Sequence, residues 1–523
     1  MGKCWWNGTI YTMQNEGDTV EVVYTEHGII VATGSKEVIE VEYDGQIEEW
    51  VDLQGGTMFP GFVDSHMHLI GYGETFLKLD LSNMNSKEEV LQAIADRSVT
   101  VPRGSWIIAE GWNENRWLDA SPITRDQLDA IAPHHPVLLR RICRHLLVVN
   151  TPAMKAVPID TERTEYGIHS GIFKDSDQDI ILNAVPQVTE SYIQEALRVA
   201  IQHAWSQGVV GGHTEDLSYY GSCSNVLRVY QKVIHEDSMN FRAHLLVHHS
   251  VVGEWRNADE KLLTKSSYLE FGAMKIFADG ALGGRTALLS IPYADEPSTN
   301  GLAIHSDEEL AQLVSQARSY GLPIAVHAIG DLAAEKVIAA IERHPACDGA
   351  IDRLIHGQIL GGSTIERMKN LPLVIDIQPT FVASDFPWVV DRIGQDTDLQ
   401  LYAWKTLLDH GLRCAGGSDA PIEQVSPLFG MHAAVTRMKP DDSTETIYQL
   451  EERLSMFEAI SLYTTGSANA SGHEYDRGKI REGYSADFTI LTMDPFLNKP
   501  SKLLTDCIGM TVVGEKVVYR NHE

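Results

Sequence analysis

The stretch Pro60-Gly61-Phe62-Val63-Asp64-Ser65-His66-Met67-His68 decides how the rest of the chain is read. A short apolar run, Met58, Phe59, Phe62 and Val63, ends in two histidines spaced i, i+2. On a strand, residues two apart face the same side. His66 and His68 can therefore point together at one metal ion from the end of a buried strand. Pro60 and Gly61 mark a strand entered from a turn. A lone His-x-His also arises by chance on surface strands, so its weight comes from the segments downstream of it.

Four such segments occur in order: "MKIFADG" with Lys275, "IAVHAIGD" with His327, "RLIHGQ" with His356 and "CAGGSDAP" with Asp419. Each places a polar residue in or at the end of a short apolar run. Strand-like runs fall at 58–66, 208–213, 241–248, 272–278, 322–327, 353–356, 372–377 and 412–417. Amphipathic stretches such as "SDEELAQLVSQARSYG" and "LAAEKVIAAIERH" lie between them. Strands alternating with helices indicate βα units and a parallel sheet, and eight such units make a (β/α)8 TIM barrel. An open doubly wound sheet would need a phosphate loop after the first strand; His-x-His stands there instead.

Outside the barrel pattern, residues 1–57 and 470–523 read as short strands with turns, and the two termini are expected to pair into one small β-sandwich. The barrel domain then spans 58–469. Residues from about 71 to 190 are too many for one βα connection. They read as an inserted subdomain over the C-terminal mouth, where barrel chemistry occurs.

Composition narrows the function classes. The chain has 523 residues, 43% of them apolar and 22% charged, which is globular rather than disordered. Its 42 Lys and Arg against 72 Asp and Glu leave a formal charge of −30. So acidic a surface argues against nucleic acid or anionic membrane as partner; it does not define the substrate, which is expected to be a small molecule. Six scattered cysteines without C-x-x-C form no disulfide framework and fit a reducing cytoplasm. No signal peptide or transmembrane run is read. Oligomeric state stays open, a homodimer included.

The ordered pattern resembles the amidohydrolase superfamily of metal-dependent hydrolases, over about residues 6–518. Within it, "DGALGGRTA" and "HAIGD" resemble the amidohydrolase 3 branch, the YtcJ-like proteins. The resemblance implies one or two divalent ions held by His66, His68, Lys275, His327, His356 and Asp419. Imidazole and carboxylate suit several metals, with zinc favoured. It also implies that Lys275 is carbamylated and bridges two metals, because a buried ammonium beside cations suffers desolvation and like-charge repulsion. The alternative is a structural lysine paired with Asp279. Asp419, after Gly416-Gly417-Ser418, is the implied metal ligand and proton acceptor, a role compatible with capping the next helix. Lys275 and Asp419 are thus the expected catalytic residues.

The expected activity is hydrolysis of a carbon–nitrogen bond other than a peptide bond, in an amide or an N-acyl or N-formyl compound. Two other readings stand beside it. One is a mononuclear deaminase-type enzyme, disfavoured because "HAIGD" has no Glu after His327 and because a strand-4 lysine is present. The other is a non-catalytic scaffold, disfavoured because every ligand position is kept. Asp279 and Arg285, in the loop after strand 4, are candidates for substrate binding; Arg285 either holds a substrate carboxylate or pairs with a protein acid. Trp112, Asn113, Trp117, Phe381 and Trp388 are candidates for an apolar pocket wall. Asp331 reads as the N-cap of its helix, and His145, His213, His248 and His249 as structural or surface residues.

Overall fold

The computed structural model describes residues 2–114, 117, 121–141, 146–157, 170–174, 178–182, 185, 189–347, 349–395, 397–440 and 446–521. The chain divides into two compact units, one of Met1–Gly71 with Leu197–Glu523 and the other of Tyr72–Ala196.

The first unit is built on eight parallel strands: β1 (Phe62–Met67), β2 (Val209–Thr214), β3 (Arg242–His248), β4 (Leu269–Phe277), β5 (Ile324–Ala328), β6 (Asp352–His356), β7 (Leu373–Ile377) and β8 (Arg413–Gly416). They neighbour one another in chain order, as a TIM barrel requires. β8 returns to β1: Ser418 donates its N–H to the Asp64 carboxylate, and Asp419 donates to the His66 carbonyl at 2.8 Å. Gly417 makes this closure feasible, because a Cβ there would lie 2.6 Å from the His66 nitrogen. Two covering helices, Asp307–Ser319 and Asp331–Arg343, turn alanine- and valine-rich faces inward. The first starts in a capping box between Ser306 and Glu309.

The run 58–66 is two strands rather than one. Thr57–Pro60 pairs antiparallel with Phe488–Leu491, whereas Phe62 onward belongs to the barrel. Pro60 has no N–H to continue a ladder. Gly61 allows Val210 to pack where a side chain would otherwise sit, since a Cβ would fall 2.6 Å from its methyl groups. One sheet runs Lys516–Arg520, Ile508–Val513, Phe488–Leu491, Thr57–Pro60, Thr9–Tyr11, Thr19–Val20. A second runs Ile29–Gly34, Val22–Glu26, Gly2–Trp6, Ile47–Asp52. Trp5, Val23, Met58, Phe488 and Val512 share one buried cluster across the two sheets, with Trp5 edge-on to Phe488 at 5.3 Å.

The second unit has its own five-stranded sheet, ordered Ile172–Lys174, Leu146–Val149, Val137–Arg141, Ile107–Trp112, Leu79–Asp80. Helices Lys87–Thr100 and Arg125–Ile131 pack beside it, capped by Ser86 and Thr124. Its apolar core includes Val90, Ile94, Ile107, Leu128 and Leu139. Among the described residues no helix is long and apolar enough to cross a membrane.

Candidate active site

β1 delivers His66 and His68 to the C-terminal mouth, and the turn after β8 delivers Asp419. Ligand atoms of these three lie within 4.8 Å of one another. Asp419 Oδ1 is 3.4 Å from His66 Nε2 and 3.6 Å from His68 Nε2. Lys275 Nζ, from β4 and fully buried, lies 3.2 Å from His66 Nε2. His356, at the end of β6, has its ring centroid 5.7 Å from that of His66 and 4.5 Å from that of His327, on β5. The structure thus brings together His66, His68, Lys275, His327, His356 and Asp419.

Backbone conformation shows how much the fold invests here. His356 (φ +77°) and Asp419 (φ +55°) both adopt the left-handed region, which disfavours residues with a Cβ. Such conformations cost about 1–3 kcal/mol each and persist where surrounding contacts enforce them. For Asp419 those contacts are the His66 carbonyl and the bond from His68 N–H to the Ala420 carbonyl.

Three imidazoles have one nitrogen committed to the protein. His68 Nδ1 donates to the Glu215 carbonyl at 2.8 Å, His356 Nδ1 to Gln378 Oε1 at 2.7 Å, and His327 Nε2 to the Gly280 carbonyl at 3.0 Å. Each bond places the ring proton on the committed nitrogen and leaves the other nitrogen's lone pair for a ligand. Burial, then the nearby cations, hold His66 and His327 well below the ordinary imidazole range. Burial also takes His356 to about 4. Neutral imidazole is the form that ligates metal, so this donor set fits a divalent ion.

Charge at the site is shared unevenly. Burial works to raise Asp419, but the facing His68 ring and the nearby His356 and Lys275 outweigh it and hold the carboxyl below its usual range. Burial lowers Lys275 to about 8 against the pull of Glu215 and Asp419. Among the described residues no carboxylate lies within ion-pair distance of its ammonium. Asp279 is not its partner: that carboxylate accepts backbone N–H bonds from Leu288, Ile329 and Gly330 at 2.8–3.0 Å and pins the loops after β4 and β5.

The outlying candidates sort differently. Phe381 is buried, its ring nearly parallel to that of His356 at 6.3 Å. Arg285 takes the structural alternative, with Nη2 2.7 Å from Asp295 and Nε 3.4 Å from Glu296. Trp112 is a correction: rather than walling a pocket, it is fully buried in the second unit's core, stacked on Trp117 at 5.7 Å. Asn113 lies beside it at the end of the same strand, also in the second unit. Trp388 donates to the Ser384 carbonyl and lies under Arg392. Asp331 does not cap its own helix. Gly330 holds that position, and Asp331 Oδ1 instead accepts from Ser290 N–H at 3.0 Å. His145 lies outside the described residues.

Sequence reasoning passed over Glu215 and Gln378. Both stand directly beyond a strand, after β2 and β7, and both orient a histidine. The signal was available as a polar residue following an apolar run, but neither residue type announces itself as a partner of a ligand.

A parallel barrel whose imidazoles converge on one carboxylate at its C-terminal mouth is the arrangement of hydrolases that activate water with metal. A model of the amidohydrolase family matches residues 49–519, and the chain belongs to that family. It is 50% identical over 529 residues, 99% of each chain, to the Bacillus subtilis (strain 168) protein named "Putative amidohydrolase YtcJ". It is 24% identical over 527 residues, 94% of this chain and 93% of the other, to the N-substituted formamide deformylase of Arthrobacter pascens. The crystal structure of an uncharacterized metal-dependent hydrolase from Pyrococcus furiosus matches with a TM-score of 0.79 at 28% identity, covering 95% of this chain and 100% of that one.

Proposed function

We propose that this protein hydrolyses the carbon–nitrogen bond of a small amide, of the N-acyl or N-formyl class, using one or two divalent ions, zinc foremost. The observation that carries the reading is the juncture of His66, His68 and Asp419, whose ligand atoms lie within 4.8 Å of one another, with the rings of His356 and His327 packed in series beside His66. His66, His68, His327, His356 and Asp419 would hold the ions. Lys275, carbamylated, would bridge them, since carbamylation replaces a buried cation by an anion. A divalent ion there supplies an acidified water and polarisation of the scissile carbonyl.

The chain's own part begins with orientation. Gln378 and the carbonyls of Glu215 and Gly280 hold the imidazoles in one tautomer each. Asp419 Oδ1 sits between His66 and His68, takes the proton from the attacking water and passes it to the leaving amine. Its depressed affinity for protons keeps it ready as a base at neutral pH. Phe381, stacked over His356, excludes water from one side. The N-substituted formamide deformylase among the relatives supports the acyl class without defining the acyl group.

The test is release of carboxylic acid and amine from N-formyl and N-acyl amines by zinc-loaded protein, with loss on chelation and recovery on metal addition. Activity that survives exhaustive chelation would overturn the reading.

A further inference from the structure

His248 ends β3 and has no part in the candidate ligand set. In the ladder between β3 and β4 it is paired with Lys275. Residues paired across adjacent strands project to the same face of the sheet, so His248 shares the inward face of Lys275. Its ring packs on Phe277 at 5.7 Å. Phe277 in turn lies 4.5 Å from Lys275 Nζ and 5.1 Å from the ring of His327. The imidazole therefore stands one aromatic ring away from the ligand cluster, half-buried at the mouth.

Its tautomer is set by the backbone. Ser250 N–H donates to His248 Nδ1 at 3.2 Å, and the Ser250 hydroxyl lies 2.7 Å from the same nitrogen. A backbone N–H can only donate, so Nδ1 carries the lone pair and the ring proton sits on Nε2. Among the described residues no acceptor takes that N–H.

Resting on the amide-hydrolase reading, we infer that His248 Nε2–H donates a hydrogen bond to the substrate's carbonyl oxygen as negative charge develops on it. A donor fixed in advance costs no reorganisation when the charge appears, and that is where such a group contributes most to rate. Ser250 acts as the positioning residue that keeps the proton on Nε2.

The test compares wild type, His248→Ala and His248→Gln, all loaded with zinc, on N-alkyl and N-aryl formamides with formate release as the readout. Metal content is measured on each protein by elemental analysis. The expected result is a fall in kcat of about 10²–10³-fold for His248→Ala, the size typical of one lost oxyanion donor, with metal content unchanged. His248→Gln, which keeps an amide N–H donor, should recover at least part of that loss. Replacing the carbonyl oxygen by sulfur weakens the accepted bond, so the oxygen-over-sulfur rate ratio should be smaller in His248→Ala than in wild type. A His248→Ala variant within a few-fold of wild type overturns the inference, as does a loss that tracks metal content or leaves the sulfur ratio unchanged. Absence of wild-type turnover on every formamide and N-acyl amine would instead sink the amide-hydrolase reading, and the inference with it.

Discussion

β4 carries a charged residue near each end, and histidines gather at both, yet the two gatherings are built oppositely. At the C-terminal mouth, around Lys275, His68, His327 and His356 each commit one nitrogen to a carbonyl or amide oxygen and leave the other open. Near the N-terminal end, around Glu270, the charges are settled within the protein. His473 reaches Glu270 at 2.8 Å and Asp476 at 2.9 Å, and Arg477 makes a second, 2.6 Å bond to Glu270. Close by, His213 and His244 lie ring to ring at 4.8 Å, and Arg242 is clamped by Asp487. The difference teaches that a histidine cluster is a site when its members keep ring nitrogens that no carbonyl, amide or carboxylate oxygen claims. It is scaffold when carboxylates already answer each cation.

The largest expected break of this comparison is removal of the open lone pairs. His66→Ala combined with His68→Ala should abolish metal binding and turnover, whereas His473→Gln, at the other end, should keep full metal content. Elemental analysis of the two proteins decides it, and full occupancy in the double variant would dissolve the distinction. Metal should also leave as pH falls, because the ligating imidazoles must be neutral.

Next in size is Asp419→Asn, expected to keep metal-site geometry largely intact and to lower kcat by about 10²–10⁴-fold, the range for a lost acid–base group. Lys275→Ala should lose the second ion and most activity, with part restored by short carboxylic acids supplied with metal. Mass spectrometry of the intact protein at high CO2 should show the carbamate. An unmodified ammonium in an active, fully loaded enzyme would remove the bridge.

A smaller effect belongs to the settled end. Burial works to lower His473, but its bonds to Asp476 and Glu270 prevail and raise it to about 9. The folded value exceeds the unfolded one of about 6.5. This contribution is therefore complete below about pH 6.5 and is lost as pH rises through about 9. It amounts to something on the order of 2–3 kcal/mol. Denaturant unfolding at pH 6 and pH 9.5 should show His473→Gln with a much weaker alkaline loss than wild type. Equal losses in both proteins would mean that the ion network adds nothing.

Smallest of all, Arg285→Ala should leave KM within about twofold of wild type, because a half-buried guanidinium already paired with Asp295 and Glu296 contributes little. A tenfold rise in KM would return Arg285 to substrate binding.

Much of this was legible in order and period. The eight apolar runs correspond to the eight barrel strands because a parallel strand covered on both faces needs an almost continuous apolar stretch. Lys275, His327 and His356 stood out because a polar residue inside or ending such a stretch is costly without a task. What stayed hidden had no local mark. Trp112 and Phe381 are both aromatics near predicted strand ends, yet one fills a core and the other stacks on His356. Neighbours from distant parts of the chain make that choice. Glu215 and Gln378 were missed for the same reason, as their work is defined only by the ring each one holds.

By itself, then, the sequence determined the barrel, its strand order and the six side chains offered at strand ends, because hydrophobic period and chain order are one-dimensional properties. Only the tertiary structure decided which nitrogen of His68, His327 and His356 is tied to the protein, that Arg285 is already paired, that the run from Met58 breaks at Gly61 between two sheets, and that Ser250 holds the Nδ1 of His248. Those outcomes depend on hydrogen bonds and close approaches between residues far apart in the chain, which exist only once the barrel has closed.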